Sequence, residues 1–209
     1  MISEALGKKV AKSAAFLTVL TGIGTVMSSV RNVVLARLLA PEDFGLIALA
    51  LVLIQGMDAL TSVGIEKYLI QKEKIDDIIV SNIWLLNIVR GIILTLLALA
   101  LCPLYSRLVN EPTTMQVLRI ISFIPLVKGL YNPSSILAER KMQFGRISIY
   151  ETIYAVLDVS VVTFMAWLIR DVEALAWGLL LSACLNSLLS YFFFPLPKIP
   201  KFNLSCQPN

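Results

Sequence analysis

Ionisable residues near the middle of long apolar stretches are the groups in this sequence best suited to chemistry. Each stretch is long enough to cross a membrane, and a charge at that depth costs roughly 2.5–3.5 kcal/mol on insertion scales. A chain that tolerates this repeatedly is expected to enclose a polar cavity within a helix bundle, as a transporter does. Five of the six apolar stretches carry such a residue: Arg31, Asp58, Arg90, Lys128 and Asp158.

One interpretation of these charges is that neighbouring spans pair them. Arg31 then binds Asp58, and this ion pair joins the first two spans. Lys128 binds Asp158 in the same way, and only Arg90 is left over. Structural ion pairs of this kind are the usual way in which a membrane bundle accommodates charge.

The other interpretation is a solvated cavity with three bases against two acids, suited to an anionic substrate. Arginine suits phosphate because its planar guanidinium donates two parallel hydrogen bonds. Glu151 lies nearer the interface and would cancel the positive surplus if it faced the same cavity. The two interpretations are compatible, because a pair that opens when ligand arrives would act as a gate.

Other kinds of site are poorly supported. The chain has no histidine, which removes the commonest metal ligand and general base. Its three cysteines follow no metal-binding or redox spacing, and no basic cluster with interleaved aromatics indicates nucleic acid. We therefore expect no metal, no cofactor, no catalytic residue and no nucleic-acid partner, so the protein is not expected to be an enzyme.

The elements that position the charges are membrane helices. Hydrophobic residues make up 57% and charged residues 15% of the chain, against about 45–50% and about 25% in soluble domains. We predict an all-α polytopic membrane protein, with a cytoplasmic segment at 1–13, a transmembrane lobe at 14–194 and a cytoplasmic tail at 195–209. The six predicted spans are about 14–39, 44–65, 78–102, 117–137, 147–169 and 174–194.

Lysine and arginine in the loops set the orientation, because cytoplasmic loops carry the excess of positive charge. Eleven of these residues fall on one side of the six spans and four on the other. The rule places both chain ends in the cytoplasm. The eleven are Lys8, Lys9, Lys12, Lys67, Lys72, Lys74, Arg140, Lys141, Arg146, Lys198 and Lys201, and the four are Arg37, Arg107, Arg119 and Arg170.

Small and polar residues in the sixth span indicate close helix packing. Gly178 and Ser182 form a small-xxx-small pair, which lets two helices approach closely. Asn186, Ser187 and Ser190 are interpreted as partners for hydrogen bonds between helices. Both features predict close contacts between the last span and other helices.

An ordered set of loop and helix motifs resembles a known family. The resemblance covers about residues 8–205, and it is to the polysaccharide-transporter branch of the MOP (multidrug, oligosaccharidyl-lipid, polysaccharide) superfamily, the bacterial polysaccharide flippases. The motifs are VRNVVLARLLAPEDFGLIA at 30–48, VGIEKYLIQ at 63–71, AERKMQF at 138–144, EALAWG at 173–178 and KIPKFNL at 198–204.

The resemblance implies alternating-access flipping of an undecaprenyl-diphosphate-linked oligosaccharide across the bacterial inner membrane, for exopolysaccharide, capsule or O-antigen. It implies that Arg31, then Arg90 and Lys128, contact the diphosphate. Asp58 and Asp158, with Glu151 as a further acid, are expected to partner these bases or to couple transport to Na⁺ or H⁺.

One departure from the family pattern is the number of spans. Family members have two six-helix lobes, whereas the six spans predicted for this chain form a single lobe, the N-terminal one. We expect either a fragment or a chain completed by a second lobe or a second copy. The alternatives are a small-solute or multidrug exporter of the same superfamily, and a non-transporting assembly subunit of the polysaccharide export machinery.

Overall fold

Helix is the only regular structure in the described part of the chain, which in this computed structural model comprises residues 22, 24–37, 41–62, 77–109, 111, 113–140 and 143–194. In a bilayer each backbone polar group needs an internal partner, and the helix supplies one within a single segment. The helices are α1 over 24–37, α2 Pro41–Ser62, α3 Asp77–Val109, α4 Thr113–Ile121, α5 Ile124–Gly129, α6 Ser134–Arg140, α7 Phe144–Ile169 and α8 Val172–Phe193.

Four of these helices have the length and apolar composition needed to cross a membrane. The qualifying segments are Pro41–Thr61, Ile79–Val109, Gly145–Ile169 and Val172–Phe193. The prediction of an all-α polytopic membrane protein is confirmed. The predicted segments 1–13 and 195–209 lie outside the described residues.

Helix α3 is longer than predicted. The span predicted from the sequence was about 78–102. It continues instead through Pro103 to Val109. Membrane helices tolerate an internal proline because neighbouring groups and small local adjustments satisfy the freed backbone acceptor.

The fourth predicted span is divided into three short helices. The first break falls at Ser122, whose hydroxyl donates to the carbonyl of Leu118 at 2.6 Å. Helix α5 then begins at Ile124, with Pro125 in its first turn. The second break precedes Pro133, and Asn132 stabilises it by accepting from the backbone N–H of Ser134 at 3.0 Å. A proline disfavours helical backbone at the preceding residue, which is why the chain turns at Asn132.

The short helix α4 lies at the centre of the bundle. It packs against α2, α3 and α8, and its buried side chains recur at helical spacing. This amphipathic pattern buries one face of a nine-residue helix that is too short to span a bilayer. The buried residues are Thr114, Val117, Leu118 and Ile121.

Helices α7 and α8 form a tight hairpin, joined by residues 170 and 171. Arg170 ends α7 in the left-handed conformation, with a φ of 55°. Asp171 then caps α8 by accepting from the N–H of Val172 at 2.6 Å. The two helices pack so closely that a Cβ on Gly178 would lie 3.1 Å from the Cα of Val162, which confirms the close packing predicted for the last span.

A second close crossing joins α3 to α5. A Cβ on Gly91 would lie 2.6 Å from the carbonyl oxygen of Pro125, and one on Gly129 would lie 2.5 Å from the carbonyl oxygen of Asn87. Both obstructing atoms belong to the backbone, so neither can move aside without shifting a helix. The two helices therefore touch backbone to backbone at these glycines.

Replacing either glycine by alanine is expected to destabilise the protein, because the added methyl group must push α3 and α5 apart. Overpacking of this kind costs about 1–3 kcal/mol. Thermal unfolding of the purified protein in detergent should therefore begin at lower temperature for Gly129→Ala and Gly91→Ala. Gly56→Ala is the control, since nothing lies within 4 Å of its Cβ position. Equal midpoints for all three variants would contradict the close crossing.

Candidate functional site

The five central charges gather into two separate clusters. Each cluster contains one carboxylate, and each joins three helices. We call them the Asp58 cluster, made of Asp58, Thr61, Arg90 and Lys128, and the Asp158 cluster, made of Arg31, Tyr154, Asp158 and Ser182.

Arg90 is the most fully engaged base of the Asp58 cluster. Its Nη2 forms an ion pair with the carboxylate of Asp58 and also donates to the carbonyl oxygen of Asp58 at 2.8 Å. Its Nε donates to the hydroxyl of Thr61 at 2.9 Å. These acceptors all lie in the last turn of α2, where the helix dipole favours a positive charge. Arg90 therefore ties α3 to the end of α2.

Lys128 approaches the same carboxylate from α5. Its Nζ lies 3.6 Å from Oδ2 of Asp58, so one acid faces two bases. Gly91 and Gly129, next to the two bases in sequence, permit the close crossing that brings α3 and α5 together. The side chain of Lys128 is 57% exposed, whereas that of Arg90 is 22% exposed. The accessible positive charge of the cluster is therefore that of Lys128.

The Asp158 cluster is more deeply buried and joins α1, α7 and α8. Nη1 of Arg31 lies 2.5 Å from Oδ2 of Asp158, and the hydroxyl of Ser182 donates to the other carboxylate oxygen. The hydroxyl of Tyr154 lies 3.2 Å from that of Ser182. Since Ser182 gives its proton to Asp158, Tyr154 must donate to Ser182. Arg31 and Ser182 thus donate to the carboxylate directly, and Tyr154 donates to Ser182.

The family profile for polysaccharide biosynthesis proteins matches residues 34–207, which is most of the chain and includes both carboxylates. The chain belongs to this family. The family resemblance predicted from the loop motifs is thereby confirmed.

Two curated relatives give the family a closer context. The lipopolysaccharide biosynthesis protein WzxC of Escherichia coli (strain K12) is 26% identical over 183 residues, covering 87% of this chain and 36% of its own length. The succinoglycan biosynthesis transport protein ExoT of Rhizobium meliloti (strain 1021) is 27% identical over 175 residues, covering 83% and 35%. The chain thus spans about a third of the length of these relatives. No solved structure matches it significantly.

The sequence analysis predicted the wrong ion-pair partners for the charges of neighbouring spans. Arg31 binds Asp158 rather than Asp58. Lys128 lies beside Asp58, and Arg90, expected to be left over, is paired with Asp58 as well. The sequence gives the depth of a charge along its helix. It does not give the rotation of the helix or which helices are neighbours in space, and these decide the partner.

Glu151 belongs to neither cluster. It is exposed on α7 and forms no ion pair within the described residues. The positive surplus predicted for the five central charges consequently remains. It is located in the Asp58 cluster, where two bases face one acid, while Arg31 and Asp158 balance each other.

Two hydroxyl residues of these clusters were missed by the sequence analysis. Thr61 lies three residues after Asp58, and Tyr154 lies four residues before Asp158. At these spacings two side chains share one face of a helix. A search for hydroxyl side chains one turn away from each intramembrane acid would have found both.

In the part of the chain that the structure describes, no three histidine, cysteine or acidic residues come together to form a metal site. Cys102 is a buried free thiol, 3.8 Å from the hydroxyl of Ser122. Cys184 is free and partly exposed, and Cys206 lies outside the described residues.

The polar interactions predicted for α8 are confirmed at Asn186, which accepts from Tyr150, and at Ser190, which accepts from the N–H of Asn132 at 3.1 Å.

Proposed function

We propose that this protein takes part in moving an undecaprenyl-diphosphate-linked oligosaccharide across the bacterial inner membrane by alternating access, for surface polysaccharide synthesis. The observation that carries the proposal is the convergence of Arg90 and Lys128 on the single carboxylate of Asp58. This leaves an accessible positive charge on a membrane-embedded bundle. The names of the two relatives, one a lipopolysaccharide biosynthesis protein and one a succinoglycan biosynthesis transport protein, support the same role.

The chemistry of the two clusters fits a diphosphate ligand. A diphosphate carries several negative charges and strong acceptor oxygens, and lysine and arginine bind it through charge-assisted hydrogen bonds. Lys128 supplies an ammonium, and Arg90 and Arg31 supply guanidinium groups. Asp58 and Asp158 keep these bases paired when no substrate is bound. In this proposal they are also the groups that Na⁺ or H⁺ would neutralise if transport is cation-coupled, with Glu151 as a further acid.

In this proposal the protein acts as a transporter rather than an enzyme. The second half of the transport path is supplied by a second six-helix lobe or by a second copy of the chain. Polar residues exposed at membrane depth, such as Asn32 and Gln55, support this arrangement. An uncompensated polar side chain facing lipid is unfavourable, so these residues are expected to face a partner or a water-filled cavity.

Complementation of a bacterium that lacks its polysaccharide transporter tests the proposed function. The chain is expressed alone, and then together with a C-terminal lobe from a family member. Recovery of surface polysaccharide in either arrangement supports the proposal. Failure in both arrangements, with normal insertion and with a host transporter gene that does restore export, would refute it. Efflux of drugs without recovery of polysaccharide would favour a small-solute exporter.

Replacing Lys128 by alanine separates stability from transport. The variant relieves repulsion between Lys128 and Arg90 and leaves the Arg90–Asp58 pair intact, so thermal stability in detergent should be equal or slightly higher. Export should fall about tenfold or more, because a hydrogen bond to a charged group contributes roughly 1.5–3 kcal/mol. Lys128→Arg keeps the charge and is the control. Normal export by Lys128→Ala at equal abundance would remove Lys128 from the substrate site.

A further inference from the structure

Asp158 uses only part of the hydrogen-bonding capacity of Arg31. The carboxylate contacts Nη1, at 2.5 Å. The Nε of Arg31 is buried and has no acceptor within the described residues. A guanidinium binds an oxyanion best through two parallel hydrogen bonds, and the edge that carries Nε is not used by Asp158. Among the described residues Arg31 is thus held by one contact, and its buried Nε edge becomes available to a second anion only when the Arg31 side chain moves away from Asp158.

We infer that Asp158 and an anionic headgroup compete for Arg31, so that Asp158 sets the affinity of the site for its anion. This inference rests on the proposed function and adds to it the residues that regulate binding. Only those molecules in which Arg31 is not bound to Asp158 can bind another anion. The apparent affinity for that anion is therefore the intrinsic affinity multiplied by the fraction of such molecules. Binding of the anion weakens the Arg31–Asp158 pair by the same factor, because coupling between two interactions is reciprocal.

Ser182 and Tyr154 make the exchange feasible. A carboxylate with a side chain only 12% exposed is strongly disfavoured when its counter-ion leaves. The hydroxyl of Ser182 continues to donate to Asp158. Tyr154, one turn before Asp158 on α7, donates to the hydroxyl of Ser182. These donors lower the free energy of the carboxylate after Arg31 has moved. Without them, Asp158 would hold Arg31 more tightly.

The inference predicts opposite effects for two groups of variants. Asp158→Asn removes the competing charge and should increase the affinity for the anion about tenfold. Ser182→Ala removes the hydroxyl that donates to Asp158, so Asp158 holds Arg31 more tightly. The affinity of the site for the anion should therefore decrease several-fold. Tyr154→Phe should act in the same direction as Ser182→Ala but less strongly. A purely structural role for the cluster would weaken binding in every variant.

Tyr150→Phe is a matched control for Tyr154→Phe. Tyr150 lies one turn before Tyr154 on α7, and its hydroxyl also bonds to α8, at Asn186. Both variants lose one hydroxyl that links the same two helices. Only Tyr154 is connected to Asp158 through Ser182. The inference therefore predicts wild-type affinity for Tyr150→Phe.

Binding to the full chain purified in detergent is measured with undecaprenyl diphosphate, and undecaprenol serves as the uncharged probe. Tighter diphosphate binding by Asp158→Asn, weaker binding by Ser182→Ala and unchanged undecaprenol binding would confirm the competition. Diphosphate binding that Asp158→Asn leaves unchanged or weakens would overturn the inference but not the proposed function. A wild-type protein that binds undecaprenyl diphosphate no better than undecaprenol would overturn both.

Transport gives a second readout that distinguishes exchange from simple binding. In Asp158→Asn the anion is held more tightly and Arg31 has no carboxylate to return to, so release of substrate should be slowed. Surface polysaccharide should therefore decrease in the variant that binds most tightly. Export that rises together with affinity would contradict the exchange, since Asp158 would then be dispensable for release.

Discussion

Arg31→Ala is expected to lose export of surface polysaccharide while the protein still inserts into the membrane. In the proposed function Arg31 alternates between Asp158 and the diphosphate of the substrate, so its removal eliminates a charge-assisted contact. The loss of one such contact corresponds to roughly 1.5–3 kcal/mol, or about a ten- to hundredfold decrease in transport. Surface polysaccharide per cell, normalised to the amount of protein in the membrane fraction, provides the measurement.

A simple structural effect must be separated from this loss, because Arg31→Ala also leaves Asp158 without its counter-ion. The double variant Arg31→Ala/Asp158→Asn removes both charges and should recover the thermal stability of the wild-type protein. Its export should remain low. Arg31→Lys retains a positive charge without the planar guanidinium and should transport at an intermediate rate. If the double variant exported normally, Arg31 would have no role beyond neutralising Asp158.

The architecture was largely predictable from the sequence, because it depends on local patterns. Apolar stretches of membrane length predicted α2, α3, α7 and α8. The fourth span was less predictable. Its apolar composition suggested one crossing, whereas Pro125 and the Asn132-Pro133 sequence divide it into short helices.

The membership of the two clusters was less predictable than the depth of their charges. Arg31 and Asp158 are separated by 127 residues in sequence, and their contact depends on how α1 lies against α7 and α8. The position of Lys128 beside Asp58 depends on a backbone contact at Gly91 and Gly129. Glycines next to the charges were the available signal, because a residue without a Cβ permits the closest helix approach.

Asp58→Asn is expected to cause a large loss of stability. It leaves both Arg90 and Lys128 without their shared counter-ion. Breaking a buried ion pair from one side costs about 3–5 kcal/mol, and the partial exposure of this cluster reduces that figure. The expected result is a clearly lower unfolding midpoint in detergent and less folded protein in the membrane.

The free energy of interaction between Asp58 and Arg90 is obtained from a double-mutant cycle of Asp58→Asn and Arg90→Gln. Since Arg90 binds three acceptors at the end of α2, its removal should also be destabilising. The two effects should be less than additive, with a coupling of about 0.5–3 kcal/mol. Glu151→Gln is the control, because this exposed acid has no ion pair within the described residues. If Asp58→Asn and Glu151→Gln unfolded at the same temperature, the Asp58 cluster would not stabilise the bundle.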